Sequence, residues 1–526
     1  MKVALAHSAG IFILLGYFAA TILIGWFSRR AKLSANSFLN ATHSLSLPVV
    51  TISYLAANCG ALDILGLNAA AAQYGVQAFH FYWIGAIPAL IFLSLWVMPV
   101  YRRSGIRSVP EYFEKRFGPD VRLLNACIVA IIRLLLAGIN LYAMAQVLQA
   151  ILGLPFLSGI LLSSAIVLAT VLAGGIRATI YNSILQLGLM LAGLMPLVFH
   201  YVQGRQSLPF SADAMRTHLW TATPIYSSSS AFDAIGVVVG LGFVLSFGYW
   251  CTDFVLMQRA FTARTNSGAR MVPIWSGFGK LGFSMIGVLP GLAAAAHIPG
   301  LGTSVRYDQA LPLLMRMTYS PLMLGIGFTA LVAGLMAGFA ANISAFSALW
   351  TEDIYRCSIR SDASESHYLW MGRWAYVFAV VMGGFTSYLT MLFGNLMEHI
   401  QLLFSIFASP FWAIFLLGIC ARRVNARGAI AGFISGACIG LVHLAAFALG
   451  LIRYGSVMNM TFHGAIYSFL TALIVGLLAS RGEIRETQRR ILVLDASIAF
   501  SAEALPIWCL SAALLTIAVV LNVYWR

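Results

Sequence analysis

Apolar residues fill long, nearly uninterrupted runs along this chain, and short polar stretches separate them. Because a helix needs about 20 apolar residues to cross the hydrocarbon core of a bilayer, we interpret these runs as membrane spans. By that measure the pattern predicts about 14 spans. They lie near residues 8–28, 47–72, 81–101, 121–150, 156–174, 179–203, 231–255, 272–297, 322–351, 369–393, 398–420, 428–452, 461–480 and 505–525. We therefore predict an all-α integral membrane protein with a single transmembrane domain over residues 1–526.

The composition agrees with this interpretation. Of 526 residues, 60% are hydrophobic and only 9% are charged, and the mean hydropathy is +0.87. Soluble globular proteins carry about 25% charged residues. The formal net charge of +15 would also suit a nucleic-acid-binding protein, but the basic residues lie in short loops between apolar runs and not on one surface. We therefore expect the lipid bilayer as a partner and no nucleic acid.

The loops also predict an orientation. If the N-terminus is outside, the inner loops hold about three Lys or Arg residues for each one in the outer loops, as the positive-inside rule requires. The first apolar run ends at Arg29 and Arg30, which favours a membrane span over a cleaved signal peptide. We expect a multi-pass plasma-membrane protein with both termini outside, and we favour a bacterial inner membrane over a eukaryotic plasma membrane.

Few charged side chains fall inside the predicted spans. Asp63 lies well inside the second span, Asp253 lies near the inner end of its span, and Arg133 and Lys280 are the embedded bases. A charge at the bilayer centre costs about 2.5–3.5 kcal/mol on insertion scales, so these groups must line a cavity or pair with each other. Two interpretations stay open: a functional site, or a structural ion pair of Asp63 with Arg133 or Lys280.

The second span carries an unusual polar interruption. In "AANCGALDILGLNAA" (residues 56–70), Asn58, Gly60 and Asp63 interrupt the apolar run near its middle. Discontinuous helices occur in membranes where they line a cavity, and transporters use the freed carbonyls and amides to hold ions and substrates. We predict such a broken helix here. An ordinary span that packs through its small residues is the alternative.

Other kinds of chemistry find little support in the sequence. The seven cysteines are scattered and form no C-x-x-C pair or metal-ligand spacing. The chain has no His-Glu-x-x-His, and no Gly-x-Ser-x-Gly within a span. We therefore expect neither an enzyme nor a cofactor, and no metal other than a coupling ion. The sequence leaves open whether the protein is a monomer or a homo-oligomer.

One segment, "FGYWCTDFVLMQRAFTAR" (residues 247–264), contains a Tyr-Trp-Cys-Thr-Asp run followed by Gln258 and Arg259. It resembles the seventh-span signature of the sodium/solute symporter family, especially its sodium–glucose cotransporter branch. Four more segments are similar to that family in the same order along the chain. They are "SVPEYFEKRFG" (108–118), "GGIRATIYNSILQ" (174–186), "GLMAGFAANISAFSALWTEDIYR" (334–356) and "ASPFWAIFLLGICARRVNARGA" (408–429).

The resemblance implies a LeuT-type fold, in which two five-helix repeats of opposite topology surround a central site. The repeats would cover about residues 47–203 and 231–420. Peripheral helices would lie at 8–28, 428–452, 461–480 and 505–525. The implied function is secondary active transport: a cation-coupled symporter that imports a small polar solute by alternating access, with a sugar as the first candidate.

The resemblance also implies a set of substrate-binding residues. They are Asn58, Asp63, Tyr82, Tyr249, Trp250, Lys280 and Gln401. Asp63 stands where the glucose cotransporters carry a histidine, and Tyr82 stands where they carry a glutamate. Amide and carboxylate groups can bond sugar hydroxyls, and aromatic rings can stack on a sugar face.

The sodium ligands that the resemblance implies are only partly present in this chain. Backbone carbonyls fall on Ala56, Cys59 and Gly334, and any residue supplies a carbonyl. The two hydroxyl positions fall on Ala337 and Gly338, and a further family aspartate falls on Ser183. Losing side-chain oxygens at these positions argues against sodium coupling at the family's usual place.

Several alternatives therefore stay open. Asp63 could carry a proton, or it could bind a cationic substrate or a sodium ion at a shifted site, with Asn342 and Ser344 as nearby compensating groups. The protein could also be an uncoupled transporter. A transport-dead sensor is the remote alternative; we expect no signalling domain, because the last span ends next to Arg526.

Overall fold

This computed structural model describes residues 13, 16, 17, 19, 20, 45–106, 109–171, 176–203, 231–421, 423–480 and 504–524. Most of these residues are helical, and this part of the chain has no strand beyond isolated bridges. The first nine helices are α1 (Leu47–Asn58), α2 (Ala61–Tyr74), α3 (Gln77–Arg103), α4 (Val109–Phe117), α5 (Pro119–Leu152), α6 (Phe156–Val171), α7 (Ile176–Val202), α8 (Gly236–Thr252) and α9 (Phe254–Phe261). The remaining helices are α10 (Asn266–His297), α11 (Ala310–Thr318), α12 (Pro321–Ile359), α13 (Glu365–Leu392), α14 (Leu396–Cys420), α15 (Ala426–Ala448), α16 (Val457–Leu478) and α17 (Leu505–Tyr524).

The predicted all-α membrane fold is confirmed. Among the described residues, 10 helices are long and apolar enough to cross a membrane, or up to 12 when two bent pairs each count as one span. Thirteen of the predicted spans correspond to helices or bent helix pairs in the structure, although α6 has a shorter apolar stretch, Phe156–Leu168. The predicted first span, 8–28, lies almost wholly outside the described residues.

Two helices are broken rather than continuous. α1 and α2 meet at an angle of 47° around Cys59 and Gly60, where the sequence predicted an interruption. α8 and α9 meet at 52° around Asp253, close to residue 255, where the predicted span 231–255 ends. The Asp253 carboxylate accepts hydrogen bonds from the amides of Val255 and Leu256, so it caps a new helix instead of ending the span.

The surrounding helices hold both breaks near the middle of the molecule. α2 packs against α10 and α12, and α5 packs along α12 and α13. α5 begins at Pro119 and ends at Gly153, whose φ of 70° suits a glycine that terminates a helix. On the other side, α8 packs against α16, and α16 packs against α15. Both broken helix pairs therefore pack against long helices of the bundle.

Candidate functional site

A cavity of about 240 Å³ lies between the two helix breaks. It is lined by residues of α1, α2, α3, α5, α8, α9, α10, α12, α14 and α16, and also by Gly60 and Asp253 at the two breaks. All seven predicted substrate-binding residues line it: Asn58, Asp63, Tyr82, Tyr249, Trp250, Lys280 and Gln401. The structure therefore brings together residues that are as far as 343 positions apart in the chain.

An ion pair occupies one wall of this cavity. The Lys280 ammonium on α10 donates a hydrogen bond of 2.5 Å to Asn58 Oδ1 and lies 3.6 Å from Asp63 Oδ2. The Lys280 side chain is 7% exposed and that of Asp63 is 21% exposed. Of the two pairings that the sequence left open, the structure has Asp63 with Lys280. The ammonium thus joins the end of α1 to the start of α2.

Tyr82 on α3 orients this pair. Its hydroxyl donates a hydrogen bond of 2.5 Å to Asp63 Oδ2, and its ring centroid lies 3.7 Å from Lys280 Nζ. The same ammonium lies 5.1 Å from the Trp250 ring centroid. A cation between two aromatic faces gains electrostatic stabilisation from both. The sequence analysis named Tyr82 only as a substrate residue, whereas the structure shows that it also positions Asp63 and Lys280.

Aromatic side chains of α8 form a second wall. The Tyr249 hydroxyl accepts a hydrogen bond of 3.1 Å from Asn58 Nδ2, and its ring lies 5.4 Å from that of Phe404. Trp250 donates from Nε1 to the carbonyl of Gly85 at 3.1 Å. Both rings are therefore held in place by polar bonds while part of each faces the cavity. Such a wall suits a flat apolar face of a solute.

Gln401 on α14 faces the cavity with few contacts of its own. Among the described residues, the side chain of Gln401 makes one weak polar contact, of 3.9 Å from Nε2 to Met397 Sδ. Its carbonyl oxygen and most of its donor capacity are therefore available to a bound molecule. This availability distinguishes Gln401 from Asn58, whose amide is already bonded on both sides.

The candidate ion-site residues are brought together only in part. Gly334 lies against the first break, since a Cβ added to it would lie 2.6 Å from Ala61 Cβ and 3.2 Å from Ala61 N. Gly334 and Gly338 line the cavity, but Ala337 does not. Ala56 and Cys59 do not line it either, although their carbonyls belong to the end of α1, where helix carbonyls lose their partners within the helix. Ser183 lies in α7, and its side chain is outside the described part.

A second ion pair lines the cavity at the other break. Arg133 on α5 donates to Asp253 Oδ2 at 2.5 Å and to Asn342 Oδ1 at 3.3 Å. Both members of this ion pair are 8% exposed. Arg133 is therefore not a partner of Asp63. The sequence analysis did not pair Arg133 with Asp253. An aspartate directly before the amphipathic run of α9 is, however, a recognisable signal for the start of a new helix.

Polar bonds also join helices beyond the Gln401 side of the cavity. Glu398 on α14 accepts hydrogen bonds from Tyr74 and Gln73 at the end of α2. Asp308, in the connection between α10 and α12, accepts from the Leu396 amide at 2.8 Å and from Tyr142 at 2.6 Å. Burial raises the pKa of Asp308 above its ordinary value, and these hydrogen bonds oppose that shift. These contacts tie the start of α14 to α2 and α5.

A polar cavity between two broken helices, inside a bundle of apolar spans, defines a transporter with an internal binding site rather than an enzyme. The sequence model of the sodium:solute symporter family matches residues 38–436, and the chain belongs to that family. It is therefore a multi-pass membrane protein that couples movement of a solute to a cation.

Named relatives agree with this membership. The chain is similar to sodium/glucose cotransporter 1 of Sus scrofa, with 27% identity over 482 residues that cover 83% of this chain and 72% of that protein. It is also similar to a sodium/glucose cotransporter of Vibrio parahaemolyticus, with 26% identity over 454 residues that cover 80% of this chain and 82% of that protein.

Solved structures share the fold. A Na+-coupled sialic acid symporter in a substrate-bound outward-open state superposes with a TM-score of 0.71 at 20% identity, over 90% of this chain and 97% of that one. A nucleobase-cation-symport-1 family transporter in a closed conformation gives a TM-score of 0.51 at 14% identity, over 86% and 96%. The predicted LeuT-type architecture is confirmed by these likenesses. The exact limits of the two repeats, about 47–203 and 231–420, stay a prediction.

Proposed function

We propose that this protein imports a small polyhydroxylated solute, with a neutral sugar as the first candidate, and couples that import to the entry of sodium. The observation that carries the proposal is the convergence of Asn58, Lys280, Tyr249, Trp250 and Gln401 on one cavity. These groups combine hydrogen-bond donors and acceptors with an aromatic wall, as sugar recognition requires. The named sodium/glucose cotransporters are the relatives that make a sugar the first candidate.

The charge of the site argues against a cationic solute. The Lys280 ammonium already lies between the faces of Tyr82 and Trp250 and beside Asp63, where a solute cation would bind. A second cation there would be repelled by Lys280 and would find the carboxylate already paired. A neutral solute meets neither cost, because hydroxyl groups can share the donors and acceptors of this cluster.

The same contacts favour sodium over a proton carried by Asp63. Asp63 Oδ2 already accepts a hydrogen bond from Tyr82 and lies 3.6 Å from the Lys280 ammonium. Proton coupling through Asp63 would require this carboxylate to give up both interactions in each cycle. We therefore treat proton coupling and uncoupled transport as alternatives that an experiment must exclude.

Uptake by purified protein in liposomes tests the solute class. Labelled neutral hexoses, an acidic sugar and a small cationic solute are offered separately under the same inward sodium gradient, with protein-free liposomes as the control. We expect accumulation of a neutral hexose and little accumulation of the cation. Preferential accumulation of the cationic solute would contradict the proposed role of Lys280.

We also propose that both termini lie on the outer side of the membrane, on the evidence of the Lys and Arg bias of the loops. The number of spans and the family support a bacterial inner membrane as the location. Labelling with a membrane-impermeant maleimide in intact cells tests the orientation. In a variant whose own cysteines are replaced, a cysteine at Leu451, in the loop between α15 and α16, should be labelled, because the proposed map puts that loop outside. On that map the loop faces outward, so labelling at 451 is the expected result and protection would contradict the orientation.

A further inference from the structure

On α12, the space that a side chain at position 338 would occupy is filled by a residue of α5. Gly338 is one of the two α12 positions at which the family's sodium-binding hydroxyls are absent. A Cβ added to Gly338 would lie 2.6 Å from Asn140 Oδ1 and 3.4 Å from Asn140 Cγ. Asn140 belongs to α5, so the side-chain amide of α5 occupies the volume that a side chain of α12 would otherwise take.

The amide oxygen that reaches this place has no hydrogen-bond partner among the described residues. Asn140 is fully buried, and its Nδ2 donates to the carbonyl of Leu136 at 2.9 Å, but Oδ1 is left without a donor. A buried carbonyl oxygen without a partner is unfavourable and calls for an explanation, such as a bound ion. Asn140 also lines the cavity, together with Gly334, Gly338 and Gly60.

Asn342 and Ser344, which the sequence suggested as compensating ligands, are less suitable than Asn140. The Asn342 amide oxygen accepts from Arg133, and its nitrogen donates to the carbonyl of Gly338 at 3.0 Å. Ser344 is not among the residues that line the cavity. The side-chain oxygen that is available beside Gly338 is therefore that of Asn140.

We propose that Asn140 Oδ1 is a ligand of the coupling cation and takes over the role of the hydroxyls missing at Ala337 and Gly338. The backbone carbonyls at the end of α1 and at Gly334 would supply further oxygen ligands. This inference rests on the proposed sodium coupling and goes beyond it, because it names a side chain that the family's motifs do not. A neutral amide holds no proton over the working pH range, so such a site selects a metal cation over a proton.

Sodium-dependent thermal stability of the purified protein tests this ligand without any transport assay. A cation that binds only the folded state raises the melting temperature as its concentration rises, and choline chloride keeps the ionic strength constant. We expect the wild type to be stabilised by sodium. In Asn140→Ala, the sodium concentration that gives half of the maximal rise in melting temperature should increase about tenfold, as expected for one lost ligand.

Asn125→Ala is the matched control. Asn125 also lies buried on α5, and its amide oxygen has no hydrogen-bond partner in the part of the chain that the structure describes, but it does not line the cavity. The melting temperature of this variant in the absence of sodium can differ from that of the wild type. Its half-saturating sodium concentration should nevertheless equal that of the wild type. In the double variant Asn140→Ala with Gly338→Ser, a hydroxyl returns to α12 in the vacated space, and we expect the sodium response to recover.

The outcomes separate the two proposals. If the wild type responds to sodium and Asn140→Ala responds at the same concentrations, Asn140 is not a ligand, and sodium coupling itself survives. If the wild type does not respond to sodium at all, both proposals are overturned. Should Asn140→Ala fail to fold, Asn140→Asp decides: it keeps the shape and adds a negative charge, so the half-saturating sodium concentration should fall, and an unchanged value would overturn the assignment.

Discussion

The two helix breaks of this protein are similar in shape and different in chemistry. The first, between α1 and α2, bends by 47°, and Gly60 begins α2 without a side-chain cap. The second, between α8 and α9, bends by 52°, and Asp253 caps the amides of α9 with its own carboxylate. The Asp63 side chain near the first break is 21% exposed, whereas Arg133 and Asp253 at the second are each 8% exposed.

This difference indicates how one kind of backbone break can have two uses. At the first break, no side chain among the described residues caps the amides of α2, and the charged pair Asp63 and Lys280 lines the cavity beside them. At the second break, the chain satisfies its own amides and neutralises its own charge with Arg133. We infer that the first break binds ligands and that the second is a joint whose ion pair must be held or released as the transporter changes state.

The largest effect is expected at the joint. Arg133→Leu leaves the buried Asp253 carboxylate without its partner, and removing one member of a buried pair typically costs about 3–5 kcal/mol. We expect a clearly lower melting temperature in detergent. Adding Asp253→Asn should restore much of the loss, because asparagine also caps helices and carries no charge. Equal melting temperatures for wild type and Arg133→Leu would show that the pair is not a stabilising joint.

The next effect is expected at the first break. Asp63→Asn removes the charge that Lys280 and Tyr82 contact, and a hydrogen bond to a charged group is worth about 2 kcal/mol, or roughly a 30-fold change in an equilibrium constant. We expect coupled uptake to fall by about that factor, with solute exchange less affected. Asp120→Asn, on the exposed first turn of α5, is the control. If Asp63→Asn accumulates solute normally, the ion pair serves only to join helices.

A smaller change is expected at Gln401. Its amide is largely free to bond a solute, so Gln401→Ala should raise the apparent KM about tenfold, equivalent to about 1.4 kcal/mol. The maximal rate should change little if the contact is equal throughout the cycle. Gln149→Ala, at an exposed position of α5, provides a control for the loss of a glutamine side chain. Unaltered kinetics in Gln401→Ala would place the solute elsewhere.

The smallest effect is expected at Tyr249. Tyr249→Phe keeps the aromatic wall and removes the hydrogen bond that Asn58 donates to the phenol, a loss of about 1 kcal/mol or roughly fivefold in apparent KM. Tyr249→Ala removes the wall as well and should have the larger effect. If the two variants are equally impaired, the hydroxyl and not the ring face is what the solute requires.

The features that the sequence could not predict are contacts between helices that are distant in the chain. The apolar runs predicted the spans, and the polar residues at 58 to 63 predicted the first break, because both signals are local. The partner of Asp63 could not be predicted, since Lys280 and Arg133 are both embedded bases and only the packing of α10 against α2 selects Lys280. Asn140 attracted no notice, because a single amide in an apolar run has no pattern that reveals an unpaired oxygen.

Solute accumulation in proteoliposomes under separate gradients tests the central claim most directly. The same labelled solute is offered first with an inward sodium gradient at equal pH, then with an inward proton gradient without sodium, and the membrane potential is clamped in both cases. Our account predicts accumulation with the sodium gradient and none with the proton gradient alone. Accumulation driven only by protons would contradict it and would make Asp63 the coupling residue.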